Sequence, residues 1–255
     1  MERVNLFLLH GFLGRPSDWE AVKASLPPHA NVRVYTPDYF HDQYLNPNHS
    51  FVEWAKNFNE YVQHETKGHG QNILVGYSLG GRLALQALAQ KPGLWSKALF
   101  ISTNPGFNDK NESFDPTSEE RTQRWMSDSY WAEEFLTRPW DMVMRNWNAQ
   151  PVFGGGSTEP TRLEKDYPRE LLGLALTQWS LAQQRNMRLV LSDLCAKVSW
   201  IVGERDEKFV EMTQKMTETV AGLRFEVVPE ASHRVLFDRP RDIAEKLKAL
   251  IQQLL

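Results

Sequence analysis

Apolar residues along this chain follow two rhythms: short compact runs, and longer stretches in which they recur every three or four positions. The compact runs are Val4 to Leu9, Val32 to Tyr35, Ile73 to Val75, Ala98 to Ile101, Val198 to Val202 and Leu223 to Val228. Several are continuously apolar, as parallel strands covered on both faces require. Helical spacing fills the intervals at Ser17 to Leu26, Phe51 to Glu65, Leu79 to Gln90, Phe209 to Val220 and Arg241 to Leu254. Ser17 and Asp18 are placed to cap the first of these. Strands alternating with helices predict an α/β fold: a mostly parallel central sheet, helices on both faces and right-handed crossovers.

The alternation lapses between about Gly106 and Asp193. That region carries Trp125, Trp131, Trp140, Trp147 and Trp179, and its periodicity is helical. Pro116, Pro139, Pro151, Gly154-Gly155-Gly156, Pro160 and Pro168 break it. It predicts a helical cap inserted across the carboxyl edge of the sheet. Residues 1–105 and 194–255 then form the core, and 106–193 the cap.

The stretch Asn72-Ile73-Leu74-Val75-Gly76-Tyr77-Ser78-Leu79-Gly80-Gly81 puts one serine between a buried strand and a helix. A strand-to-helix turn this tight lifts its central side chain above the sheet, strains the backbone and brings neighbouring elements close, so glycine is needed on either side. Gly76-Tyr77-Ser78-Leu79-Gly80 fits G-x-S-x-G in that context, which a mere capping serine does not require. A serine hydroxyl is a weak nucleophile until a base takes its proton, and on this architecture the partners follow in the order Ser, acid, His. His233 lies between the last strand and the final helix, where the base belongs. Asp206 lies just past the fifth strand, with Glu204 as the nearer rival. In these roles Asp206 holds the imidazole tautomer and His233 acts as base and then acid.

His10-Gly11-Phe12 ends the first strand, and its turn is placed to aim the backbone N–H of Phe12 at the same point as that of Leu79. Two such donors form an oxyanion hole. The His10 ring itself reads as structural. His29, His41, His49, His64 and His69 fall in polar connections or on helix surfaces. No histidine spacing suggests a metal and no glycine loop suits a phosphate, so neither metal nor cofactor is expected.

Composition narrows the picture little. The 255 residues are 41% hydrophobic and 24% charged, enough apolar material for a sizeable core. Formal net charge is −3, from 29 basic and 32 acidic residues, which favours neither nucleic acid nor an anionic membrane as a bulk partner. The single cysteine, Cys195, excludes an intrachain disulfide and suits a reducing compartment. MERVNLFLLHGF is too short an apolar stretch for a signal peptide, and no run approaches the roughly 18 apolar residues that span a bilayer. The expectation is a cytoplasmic protein, a monomer or weak homo-oligomer.

These residues resemble the α/β-hydrolase superfamily over essentially the whole chain, with the first strand matching the family's third. More narrowly, Gly76 to Arg82, Pro105-Gly106, Gln150-Pro151-Val152-Phe153, Gly203 to Phe209, Glu120 to Arg124, Ser127-Asp128 and Phe135-Leu136 resemble the pyruvate-eliminating synthases of menaquinone biosynthesis. The resemblance implies a small polycarboxylate substrate, held by Arg82, Arg124 and Lys208. It also implies a hydroxyl from Tyr77 and pocket walls from Trp147 and Phe153. Three stretches depart from the family pattern. Pro37-Asp38-Tyr39-Phe40-His41-Asp42 replaces a glycine-containing turn, Ala175 stands where the resemblance implies another arginine, and Ser232 replaces the glycine before His233. Arg162 and Arg185 are the candidates to compensate at Ala175. The same triad in an ordinary pocket implies a carboxylesterase or thioesterase instead.

Overall fold

A computed structural model describes residues 3–108, 115, 117–154 and 158–255; the predicted breaks at Pro116, Gly155 and Gly156 lie outside them. β1 (Val4–Leu9) leads through a 3-10 turn (Pro16–Trp19) to α1 (Glu20–Ser25) and β2 (Val32–Tyr35). α2 (Phe51–Thr66), β3 (Gln71–Tyr77), α3 (Leu79–Gln90) and β4 (Lys97–Ile101) follow. The chain then runs through α4 (Glu119–Thr137), α5 (Trp140–Asn148), α6 (Arg169–Gln178) and α7 (Arg188–Leu194) before returning to the sheet. β5 (Val198–Gly203), α8 (Glu207–Thr219), β6 (Arg224–Val228), α9 (Val235–Asp238) and α10 (Pro240–Gln252) complete it. The sheet has the order β2-β1-β3-β4-β5-β6, with every adjacent pair parallel.

Strand side chains alternate between the faces, and both faces are covered. Phe7, Leu74, Phe100 and Trp200 meet Trp54, Phe58, Leu83 and Met216 of α2, α3 and α8. Leu6, Leu8, Ile73, Val75 and Leu99 meet Val22, Ile243, Leu247 and Ile251 of α1 and α10. Each fully buried side chain of this size contributes about 1.5–3 kcal/mol. That double coverage explains why the central strands read as unbroken apolar runs. β2 and β6, at the edges, are partly exposed, and burial alternates along β6.

One predicted start differs. The stretch from Ser17 begins as the 3-10 turn at Pro16, which follows Arg15, and Ser17 makes no cap. Proline sets the first helical position. The Asp18 carboxylate reaches back to the Arg15 N–H at 3.2 Å and forms a two-pronged ion pair with Arg162 at 2.7 and 2.8 Å.

The regular structure described between β4 and β5 is all helical, and α4 packs along α6. Its Phe135, Trp140, Val143, Leu172, Leu176 and Trp179 belong to the same apolar cluster as the sheet residues under α2 and α3. The Trp179 indole donates to the His49 carbonyl at 2.9 Å, which ties α6 to the loop before α2. No helix among the described residues is long and apolar enough to cross a membrane.

Candidate active site

Ser78 sits between β3 and α3 at φ 53°, ψ −112°, a conformation that costs a non-glycine residue on the order of 1–3 kcal/mol. Its N–H is tied to the Ile101 carbonyl at 2.9 Å and its carbonyl accepts from the Arg82 N–H at 3.1 Å. The glycines around it answer to space. A Cβ on Gly76 would stand 2.5 Å from the Gly81 Cα, one on Gly80 2.3 Å from the His10 carbonyl, and one on Gly81 1.8 Å from the Thr103 hydroxyl. At Gly80 the obstacle is backbone, since the Leu9 carbonyl lies only 2.5 Å away as well, so β1 and α3 must separate to admit a methyl. Gly80→Ala is therefore expected to destabilise the fold by about 3 kcal/mol, the upper end for overpacking. Urea unfolding measures it, and a loss under about 1 kcal/mol would show that the contact yields.

Two loops at the carboxyl edge bring the other residues to Ser78. The Ser78 hydroxyl lies 3.1 Å from Nε2 of His233, whose Nδ1 lies 2.7 Å from the Asp206 carboxylate. The side chains of His233 and Asp206 are 5% and 2% exposed. Asp206 precedes α8, and a Cβ on Gly203 would stand 2.2 Å from the Ser232 carbonyl, so the two loops pack backbone to backbone. Ser232 clasps its own loop. Its hydroxyl and N–H donate to Asp238 at 2.6 and 2.8 Å, and its oxygen accepts the Arg234 N–H at 3.0 Å. The edge of Phe209 packs against the His233 ring at 4.6 Å. Glu204, the rival acid, is exposed and accepts the Glu230 N–H at 2.8 Å instead.

Above Ser78 lies a cavity of about 620 Å³. Phe12, Tyr77, Leu79, Arg82, Arg124, Trp147, Phe153 and Lys208 all line it, so every residue predicted for substrate or oxyanion reaches one space. They differ in what they offer there. Tyr77 packs against Gly11, with a ring carbon 3.0 Å from where a Gly11 Cβ would be, and burial pushes its phenol well up. Trp147 forms a cluster of tilted rings with Phe12 and Phe153, at 4.9 and 6.2 Å. Arg82 is buried over the Phe51 ring at 5.6 Å, donates to the Trp179 carbonyl, and has no carboxylate within ion-pairing distance among the described residues. Burial, with Arg124 nearby, lowers it to about 9.

Arg124 is already engaged. It grips Asp128 through two contacts at 2.8 and 2.7 Å, and Asp128 also accepts the Ser180 hydroxyl at 2.7 Å. The four-residue spacing on one helix was a legible signal for that pair. Lys208 stands exposed at the rim, beside Arg205, which sequence reasoning did not assign to the pocket. Ser102, Asn104 and Gln150 also line it without having been foreseen. Gln150 had a signal in its place in the Gln150 to Phe153 stretch, as Arg205 had in Gly203 to Phe209. Ala175 forms part of the wall, and neither candidate compensates for it: Arg162 is bound to Asp18, and Arg185 is exposed outside the lining.

His10 is fully buried and its Nδ1 lies 3.0 Å from the Gly11 carbonyl, to which it donates. Burial lowers it to about 4, so the ring is neutral. His29, His41, His64 and His69 are exposed and His49 is half-buried. No group of metal-ligating side chains occurs among the described residues.

The 2-succinyl-6-hydroxy-2,4-cyclohexadiene-1-carboxylate synthase of Shigella sonnei (strain Ss046) is 27% identical over 256 residues, covering 97% of this chain and 93% of its own. Among solved structures, MenH from S. aureus superposes with a TM-score of 0.80 at 20% identity, over 98% of this chain and 94% of that one. A malate-bound thermophilic esterase from Thermogutta terrifontis gives 0.74 at 18% identity, over 99% and 91%. At those identities the superpositions speak for the architecture alone, which is the doubly wound parallel sheet described above. The model of the alpha/beta hydrolase family matches residues 6–246. Matched from β1 into α10, with a strained serine turn between β3 and α3, this chain belongs to the alpha/beta hydrolase family.

Proposed function

We propose that this protein is a lyase of menaquinone biosynthesis that eliminates pyruvate from a polycarboxylate cyclohexene intermediate to form 2-succinyl-6-hydroxy-2,4-cyclohexadiene-1-carboxylate. The similarity to synthases of that name supports the pathway. The observation that carries the substrate class is Arg82. A buried guanidinium without a carboxylate partner is costly, and in a cavity wall that cost is relieved by an anionic ligand. Its fork suits a carboxylate in two-point contact.

In this reading Nε2 of His233 takes the Ser78 proton while Asp206 steadies the resulting imidazolium. The Ser78 alkoxide removes a ring proton and keeps it, the C–H electron pair forms the new double bond, and the bond to the leaving group breaks with its electron pair. The His233 imidazolium returns its proton to the departing enolate, which becomes pyruvate. Pyruvate departs, and no acyl-enzyme forms. Charge gathering on a substrate oxygen is met by the N–H groups of Phe12 and Leu79. Phe153 and Trp147 hold the ring, and Lys208 meets a second carboxylate at the rim.

A carboxylesterase or thioesterase of small esters is the second reading, favoured by the neutralisation of Arg124 by Asp128 and by the apolar wall at Ala175. There Ser78 attacks the carbonyl carbon and water later releases the acyl group. Arg82→Gln separates the two. Losing a charged hydrogen-bonding partner costs about 1.5–3 kcal/mol, so KM for the polycarboxylate is expected to rise about 10- to 100-fold. Hydrolysis of p-nitrophenyl acetate is expected to change less than about threefold, since a neutral ester lacks the group that Arg82 binds. Wild-type protein should release pyruvate fast and cleave the ester feebly. Equal losses on both substrates would remove the anion pocket and leave the esterase.

A further inference from the structure

The loop after β2 departs from the family pattern, and its bulk has a use. Tyr39, wholly buried there, donates its hydroxyl to the His10 carbonyl and lies 3.2 Å from the Gly11 carbonyl oxygen. Its ring stacks on the His10 imidazole, with centroids 3.9 Å apart and planes at 19°. The same Gly11 oxygen takes the His10 Nδ1–H at 3.0 Å and the Gly14 N–H at 2.9 Å. Two N–H donors thus converge on one carbonyl, and the Tyr39 hydroxyl secures the His10 carbonyl beside it.

That carbonyl belongs to the peptide unit whose other end is the Phe12 N–H. A trans peptide is planar, so its N–H points opposite to its C=O. Donors gathered on the buried side therefore aim the Phe12 N–H the other way, toward the cavity that Gly11, Phe12 and Ser78 line. The turn needs such support, because Leu13 holds φ at 56°, where a branched residue is strained. A glycine-containing turn in place of Tyr39-Phe40 supplies no such hydroxyl. Burial, with Asp38 and Asp18 adding negative charge, keeps the Tyr39 phenol protonated and hence a donor.

We propose that Tyr39 is a positioning residue for oxyanion stabilisation: its hydroxyl holds the His10 carbonyl and its ring the His10 imidazole, whose Nδ1–H fixes the peptide plane that presents the Phe12 N–H to the reacting oxygen. The proposal rests on the assignment of Ser78 and Phe12 given above. It holds for elimination and ester cleavage alike.

Tyr39→Phe tests it. The variant keeps the stacked ring and loses one hydrogen bond, so it folds, and its unfolding midpoint verifies that. Removing an oxyanion donor outright costs about 10²–10³ in kcat, and loosening one is expected to cost about 10-fold with KM within about twofold of wild type. The readout that packing alone leaves unmoved is the affinity for phenylboronic acid, which forms a tetrahedral adduct on an active serine. Calorimetry should find it weaker by the same factor. Unchanged boronate affinity in the folded variant would overturn the proposal and leave the triad standing. No adduct on wild-type protein, matching Ser78→Ala, would overturn the triad assignment and this proposal with it.

Discussion

Ser78→Ala is expected to lower turnover by about a millionfold, whichever bond the enzyme breaks. As a base in elimination or a nucleophile in hydrolysis, the Ser78 oxygen is the group that the His233 Nε2 reaches among the described residues, at 3.1 Å. Without it, His233 has no reacting atom to relay a proton to, and what remains is binding and the oxyanion donors. The fold should survive, because alanine at φ 53° is no more strained than serine and the three glycines that create the turn are untouched. Pyruvate release and p-nitrophenyl acetate hydrolysis, each on the same preparation, measure it. Residual turnover above about a tenth of wild type would remove Ser78 from the chemistry.

Asp206→Asn is the second large effect, about 10⁴-fold in kcat. The carboxylate sits 2.7 Å from His233 Nδ1 and is almost wholly enclosed, so it accepts Nδ1–H and leaves the Nε2 lone pair facing the serine. An amide of the same shape presents its NH₂ to that nitrogen and favours the opposite tautomer. It also loses the negative charge that steadies the imidazolium in a site where water does not substitute for it. Substrate affinity should hold, so the loss falls on kcat rather than KM. A near-normal rate would pass the role to Glu204, against its exposed position and its bond to the Glu230 N–H.

Much of this architecture was legible along the chain, for reasons that vary by element. β1, β3, β4 and β5 lie under helices on both sides, so their apolar runs are short but compact, with few polar interruptions. α2 announces its start through Ser50 and Glu53, whose side chains exchange bonds with each other's N–H groups. The first helix was misread at its start. Pro16 begins the turn, while the carboxylate of Asp18 is drawn to Arg162, 144 positions away. No local pattern carries that information.

The site divides along the same line. The glycines at 76, 80 and 81 declare a close approach of backbones whatever they approach, so the serine between them stands out from the sequence alone. His233 and Asp206 declare themselves by falling just past strand ends, where an open parallel sheet gathers its reacting groups. The charges of the pocket do not. Arg82 and Arg124 are equivalent as letters, both arginines on helices, yet one is sealed over Phe51 beneath the Trp179 carbonyl and the other is spent on Asp128. Ala175 reads as a missing cation, and only the packing of α6 makes it a piece of apolar wall. By itself, then, the sequence determined the strands, the serine turn and the order of its partners, because those depend on neighbours within a few residues. Which cation lies buried without a carboxylate partner, and which donors meet the Gly11 carbonyl, only the tertiary structure decided, because burial and pairing are set by residues that meet from opposite ends of the chain.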